Sequence, residues 1–173
     1  MKSGAFKGGF SIIELMVTVV IMGILAAVAV PKLFGFMAKA KAAEVYSAAG
    51  TYIALQDAFN TDNQSSIGSW GQIGYTMPST NNFKYFEGST EGGVQSKNST
   101  SVSEGMTAAW KATNKVALND CPANSAWQID IEKSKDFNLV YQVKITNGAG
   151  GGCGVLTTNF GALSTVNHIA LSL

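Results

Sequence analysis

The chain has 173 residues, which is enough for one ordinary domain plus an appendage. Its formal net charge is +1, and it contains lysine but no arginine. This balance argues against a broad basic surface, so nucleic acid is an unlikely partner. Apolar residues make up 46% of the chain but are concentrated in residues 10–31, whereas residues 60–173 are rich in Gly, Ser, Thr and Asn.

The first predicted element is an apolar helix that follows a short, basic, glycine-rich leader. Residues 1–9 include two lysines and three glycines, and an almost wholly apolar run follows from Phe10 to Val30. As a helix this run is about 31 Å long, which matches the roughly 30 Å hydrocarbon core of a bilayer. The sequence therefore predicts membrane insertion.

Glu14 is the exception within this apolar run. A carboxylate deep in lipid costs a few kcal/mol, which the apolar neighbours outweigh. A cut after Gly9 would create a free α-amine on Phe10, four residues before Glu14. The amine and the carboxylate attract strongly at low dielectric, within one chain or between neighbouring copies, where the pair would set their register. The alternative is a glutamate that reaches the interface and has no assembly role.

The residues from Gly9 to Val17 (G-F-S-I-I-E-L-M-V) resemble the G-F-[ST]-L-[IV]-E-L-[ML]-[IV] motif of type IV pilins and pseudopilins. The resemblance covers roughly residues 4–60 and is specific at residues 9–17. It implies that a prepilin peptidase cuts after Gly9 and that Phe10 is N-methylated. It also implies that Glu14 acts in subunit assembly and that Pro31 is the family's helix-interrupting proline.

The resemblance also implies a division of the chain and a location. We expect a leader peptide at residues 1–9, a membrane-anchor and filament-core half-helix at 10–35, and a globular head at 36–173. The precursor and subunit pool would lie in the bacterial inner membrane, and the assembled subunit in an extracellular pilus.

The helical pattern continues past Pro31, where a static kink and local unwinding on assembly both remain open. One face of the continuation is apolar and the other polar, and the helix is predicted to end near residues 60–63. The apolar face comprises Val45, Ala48, Tyr52, Leu55 and Phe59, and the polar face comprises Lys39, Lys41, Glu44, Ser47 and Gln56.

The rest of the head is predicted to form strands. We expect an α+β fold in which a small antiparallel sheet of about four strands packs on the amphipathic half of the helix. A polar connector at residues 61–82 should pack onto the head through Trp70 and Tyr75. The predicted elements are strand Phe83–Glu87, strand or helical turn Met106–Thr113, strand Trp127–Ile131, hairpin turn Lys133–Asp136, strand Leu139–Ile145 and edge strand His168–Leu173.

Cys121 and Cys153 are the two cysteines of the chain. An even count in a chain with an export-like N-terminus predicts a disulfide formed in an oxidising compartment. The alternative is a pair of free thiols in a cytosolic core. The bridge would fix the glycine-rich loop at residues 147–154.

No catalytic constellation is present, so we expect neither an enzyme nor a cofactor. The single histidine, His168, lies in an apolar run. Four acids could contribute to a calcium site but are more typical of a solvated face, so no metal is expected: Asp120, Asp130, Glu132 and Asp136.

The sequence therefore favours a structural subunit of a type IV pilus that polymerises with itself through its N-terminal helix. Its other partners would be the peptidase, the pilus assembly machinery and the inner membrane. Roles in adhesion or surface motility follow from the resemblance alone. One alternative is a pseudopilin of a type II secretion system, where calcium commonly takes the place of the disulfide. A remote alternative is a binding domain secreted after cleavage behind Ala29.

Overall fold

The computed structural model describes residues 9–63, 66–95, 98–136, 138–146, 148, 151–165 and 171–172. Residues 1–8 of the predicted leader and His168 lie outside these ranges. The chain divides into two compact units, Met1–Phe36 and Met37–Leu173. We call the second unit the head.

The longest element is helix α1, Ile12–Asp62, which contains 51 residues. It ends within the predicted range of residues 60–63. Pro31 lies inside α1, and the helix continues on both sides of it. The structure therefore shows no interruption of α1 at Pro31. Unwinding of the helix there on assembly stays a prediction.

A six-stranded sheet forms the centre of the head, with the strand order β3-β2-β5-β6-β7-β8. Its four central strands are antiparallel neighbours, as predicted. The sheet also has two edge strands of two residues each: β3, which was not predicted, and β8, which pairs with β7 in parallel. The strands are β1 (Ser66–Ile67), β2 (Phe83–Glu87), β3 (Thr90–Glu91), β4 (Thr100–Ser101), β5 (Met106–Asn114), β6 (Ala126–Ile131), β7 (Tyr141–Ile145) and β8 (Leu171–Ser172).

The remaining strands β1 and β4 form a separate two-stranded sheet. The region from Met106, left open between strand and helical turn, is the strand β5. The connection between β6 and β7 runs from residue 132 to 140, so it is longer than the predicted turn at Lys133–Asp136. The described part of the predicted edge strand His168–Leu173 is β8.

The part of α1 within the head packs on the sheet through an apolar face. Val45, Ala48 and Tyr52 are buried there, as the helical periodicity predicts. Gln56, which was predicted on the polar face, is fully buried instead. Its amide nitrogen donates to the Gly68 carbonyl at 2.6 Å, and its amide oxygen accepts from the Gly68 N–H at 3.2 Å. A buried amide is tolerated when its hydrogen bonds are made, and here they attach the connector to the helix.

Aromatic side chains fill much of the head's core. Trp70 and Tyr75 of the connector are buried, as predicted, with ring centroids 4.6 Å apart and an edge-to-face arrangement. The Trp70 indole N–H donates to the Ala109 carbonyl at 3.0 Å, and that of Trp127 donates to the Thr157 hydroxyl at 2.7 Å. Because buried indoles need an acceptor, these bonds fix the orientation of both rings.

Strand β6 is buried on both faces. Gln128 and Asp130 alternate with its apolar residues, yet both are buried, so Asp130 does not lie on the solvated face that was expected for it. The Asp130 carboxylate accepts from the Ala108 N–H at 2.6 Å and pairs with the Lys144 ammonium at 2.7 Å. The partners that make this burial tolerable come from β5 and β7.

The disulfide between Cys121 and Cys153 is formed, as the sequence predicts, and both residues are buried. The expectation of a flexible loop over residues 147–154 is wrong at its end, because Gly152–Leu156 forms the short helix α2. A 3₁₀ helix, Thr158–Leu163, follows. A Cβ atom added at Gly152 would lie 2.2 Å from the Asp120 carbonyl oxygen, so only glycine fits beside the bridge.

Candidate assembly surface

The first unit presents large apolar side chains on every side of its helix. The least exposed of them, Val30, is still 47% accessible. Burying such a side chain is worth roughly 1.5–3 kcal/mol, and an isolated chain leaves this energy unrealised. The exposed residues are Phe10, Ile12, Ile13, Leu15, Met16, Val17, Val19, Val20, Ile21, Met22, Ile24, Leu25, Val28, Val30, Leu33, Phe34 and Phe36.

By length and composition, α1 contains a stretch able to cross a membrane. This stretch lies near the N-terminus, and none of it is buried within the chain. The core helix of a soluble protein would meet the same criterion but would be mostly buried. The exposed stretch therefore needs lipid or another protein around it.

Gly9 and Phe10 precede the first turn of α1, and both are exposed. The bond between them lies outside the helical hydrogen-bond ladder, where a protease can bind it in extended form. A Cβ atom added at Gly9 would meet nothing within 4 Å. Packing against the described residues therefore gives no reason for glycine at this position.

Glu14 has a local partner that the sequence analysis did not predict. The Ser11 backbone N–H donates to the Glu14 carboxylate at 3.3 Å. Ser11 is the residue before the helix and Glu14 is its third residue, which is the arrangement of a capping box. The Ser-x-x-Glu spacing ahead of an apolar run could have predicted it. Glu14 thus satisfies one of the unpaired N–H groups at the start of its own helix.

The four acids considered for calcium are not brought together. Asp130 is engaged by Lys144 and Ala108, and Asp120 accepts from the Asn119 side chain at 2.8 Å. Across the described ranges, no group of three or more His, Cys, Asp or Glu side chains could hold a metal ion.

Hydrogen bonds to acidic side chains hold the second half of α1 against the sheet. The Tyr85 hydroxyl donates to the Glu44 carboxylate at 2.7 Å, and the Tyr141 hydroxyl donates to Asp57 at 2.8 Å. Burial, together with these carboxylates, raises the pKa of both tyrosines above the ordinary value. They therefore stay protonated and able to donate at any physiological pH.

A buried carboxylate also anchors the connector. The Glu87 side chain accepts from the backbone N–H groups of Trp70, at 3.2 Å, and Val94, at 2.6 Å. Burial raises the pKa of the Glu87 carboxyl, while these N–H groups oppose the shift. The Glu87 carboxylate thus finds its hydrogen-bond donors within the head.

Comparison with known proteins finds a match for the first unit. Residues 5–30 match the family described as the prokaryotic N-terminal methylation motif. This N-terminal segment is similar to that of type IV pilins. Type IV pilins are structural rather than enzymatic, and the α+β fold of the chain is consistent with theirs. The resemblance stated from residues 9–17 is therefore confirmed.

A curated relative extends the similarity beyond the motif. The type IV major pilin protein PilA of Myxococcus xanthus (strain DK1622) is 30% identical to this chain over 90 residues. The matched region covers 52% of this chain but only 41% of the relative's length. No solved structure matches the chain significantly.

Proposed function

We propose that the chain is a structural subunit of a type IV pilus and polymerises through its N-terminal helix. This proposal rests on the contrast between the first unit, which is apolar and exposed on every side, and the head, which buries its own core. An apolar helix extracted from lipid must be buried again, and identical helices supply a matching surface. Head-to-tail contacts that do not close into a ring produce a helical filament.

Processing would prepare the chain for this assembly. A prepilin peptidase would cut the exposed Gly9–Phe10 bond and methylate the new amine of Phe10. The Glu14 carboxylate, one helical turn away, would then meet a positive charge in the low-dielectric core of the filament. The same carboxylate accepts from Ser11 in the structure, so the amine would compete with a weaker, existing bond.

Processing would divide the chain into three parts with different roles. Residues 1–9 would be the leader, residues 10–35 the membrane anchor and then the filament core, and residues 36–173 the exposed head. Before assembly the subunit would reside in the bacterial inner membrane, where the pilus assembly machinery collects it. The assembled pilus would serve adhesion or surface motility.

A pseudopilin of a type II secretion system would share the same N-terminal segment. The disulfide between Cys121 and Cys153 favours the pilus subunit, because pseudopilins commonly use calcium in its place. The amount of the protein in filaments sheared from cells distinguishes the two, because pili are long surface filaments.

The test is the intact mass of the protein in filaments sheared from cells, with the membrane fraction measured in parallel. We expect a chain that begins at Phe10, carries one extra methyl group and gains two hydrogens on reduction. Its absence from sheared filaments, with a processed membrane pool, would favour the pseudopilin. A soluble species beginning at Val30 would contradict the proposal and indicate secretion after Ala29.

A further inference from the structure

A groove of about 380 Å³ runs along one side of α1 in the head. One wall is formed by the helix residues Glu44, Ser47, Thr51 and Leu55, and the other by the connector residues 74–77. The Tyr75 hydroxyl donates to the Ala48 carbonyl at 3.1 Å and accepts from the Trp110 indole N–H at 2.9 Å. These bonds tie the connector to the helix, so the groove is preformed.

The groove has an apolar interior and an acidic end. A cavity of about 150 Å³ suffices to bind benzene, so the groove can hold a phenyl ring between Leu55 and Met77. At its end, Glu44 accepts from the Tyr85 hydroxyl. The ion pairs in the described part of the chain are Lys84–Glu91 and Lys144–Asp130, and neither involves Glu44. Glu44 therefore lines the groove without a cationic partner in the described part of the chain.

The first unit carries the complementary pair of side chains. Phe36 is 68% exposed, and Lys32 precedes it by one helical turn. Residues four apart lie on the same side of a helix, so a phenyl ring and an ammonium group face one direction. Phe36 lies beyond the roughly 20 residues that a membrane span requires, so insertion alone does not account for it.

We infer that Phe36 of one copy docks in the groove of a second copy, with Lys32 facing Glu44. This inference rests on the proposed filament and identifies one contact that builds it. The contact joins two different surfaces, as a non-closing assembly requires. It buries an aromatic ring in a pocket and places a charge pair at the rim, the usual anatomy of a protein interface.

Cross-linking in filaments tests the contact. Copies carrying Phe36→Cys and copies carrying Thr51→Cys are expressed together with an excess of the unaltered chain, so that filaments form. After shearing and mild oxidation, we expect a covalent dimer that reductant removes. The native cysteines do not interfere, because both are buried in their disulfide.

Phe34 supplies the matched control. It is 61% exposed but lies about 200° around the helix from Phe36. Copies carrying Phe34→Cys, paired with Thr51→Cys, should therefore give no dimer. Filaments that lack the 36–51 dimer, or that give the 34–51 dimer equally, would overturn the inference. Failure of the unaltered chain to form filaments would instead refute the proposed function.

The contribution of the Lys32–Glu44 charge pair can be measured separately, from the rate of cross-linking. Adding Glu44→Gln to the Thr51→Cys copies removes the charge but keeps an acceptor for Tyr85. We expect the 36–51 dimer to form several-fold more slowly, with the difference shrinking at high salt because screening weakens the pair. An unchanged rate at low salt would remove Lys32 and Glu44 from the contact.

Discussion

The two units of this chain treat apolar side chains in opposite ways. The head buries its largest side chains, including all three tryptophans, against one another. The first unit leaves nearly all of its large side chains accessible. The same hydrophobic effect therefore acts within the chain in one unit and must act between the chain and its surroundings in the other. The comparison separates the part that folds from the part that assembles.

Carboxylates in the two units differ in the same way. Glu87 in the head is buried and accepts from two backbone N–H groups of its own chain. Glu14 in the first unit is exposed and accepts from one, at 3.3 Å. The Glu87 carboxylate therefore has its hydrogen-bond donors within its own chain. Glu14 has only one such donor in the described part of the chain, so most of its acceptor capacity is available to a group from outside the isolated chain.

Removing the first unit is the strongest way to separate assembly from folding. A fragment of residues 37–173 contains the whole buried core, so we expect it to fold and to remain monomeric in sedimentation. It should neither enter membranes nor form filaments. Filaments of this fragment would show that the head alone assembles, which would contradict the comparison.

Replacing Glu14 tests the role of its charge. Glu14→Ala should insert into the membrane normally but yield at least about tenfold fewer filaments as sole subunit, a loss of about 1.4 kcal/mol. Glu14→Gln distinguishes the charge from the cap, because glutamine also completes a capping box. We expect glutamine to fail like alanine in filament counts by electron microscopy. Normal counts with glutamine would reduce Glu14 to a helix cap.

Loss of the disulfide should weaken the head alone. The bridge joins residues 32 apart in sequence, and the loop-entropy relation gives about 3.7 kcal/mol for such a loop. We expect the double variant Cys121→Ser, Cys153→Ser to lose about this much free energy of unfolding in urea. Its membrane insertion should not change, because the first unit contains no cysteine. A loss of membrane insertion would contradict this prediction, because it would mean that the disulfide of the head affects the first unit.

The smallest expected effect is a change in pH dependence. Burial raises the pKa of Glu87 above its ordinary value of 4.5, so the folded head binds this proton more tightly than the unfolded chain. Its contribution to stability is complete below about pH 4.5 and is lost as the pH rises through the raised pKa. Glu87→Gln should therefore make the free energy of unfolding fall less between pH 4.5 and 7.

Glu91 is the control of opposite sign. Hydrogen bonds from Ser79 and Lys84 lower the pKa of its carboxyl. Its contribution is therefore present above pH 4.5 and is lost as the pH falls through the lowered pKa. Glu91→Gln should therefore lower the free energy of unfolding above pH 4.5 and make it fall less as the pH drops below 4.5, while its pH dependence between 4.5 and 7 stays unchanged. Equal changes in the pH dependence of both variants between pH 4.5 and 7 would contradict the assignment of the buried acid.

Features with local causes were predictable from the sequence. The end of α1 and the strand Phe83–Glu87 match because periodicity and turn residues act over a few positions. The motif also points to Gly9, Phe10 and Glu14, whose role in assembly stays a prediction. The capping bond from Ser11 has an equally local signal, although it was not used.

Features that depend on distant partners were not predictable. Gln56 is buried because the Gly68 carbonyl, 12 residues away, reaches it, and Asp130 is buried because Lys144 and Ala108 satisfy it. Periodicity assigns a polar side chain to a face but contains no information about what covers that face. The groove beside Thr51 depends in the same way on where the connector packs.

The central claim is that the apolar surface of the first unit is buried by other copies in the filament. The most direct test is the reactivity of a single engineered thiol at Val20, which is 60% exposed in the isolated chain. We predict that Val20→Cys resists a water-soluble thiol reagent in sheared filaments and reacts once they are dissociated, whereas Ala43→Cys, in the head, reacts fully after dissociation and serves as the reference. Rapid labelling of Val20→Cys in intact filaments would contradict the account.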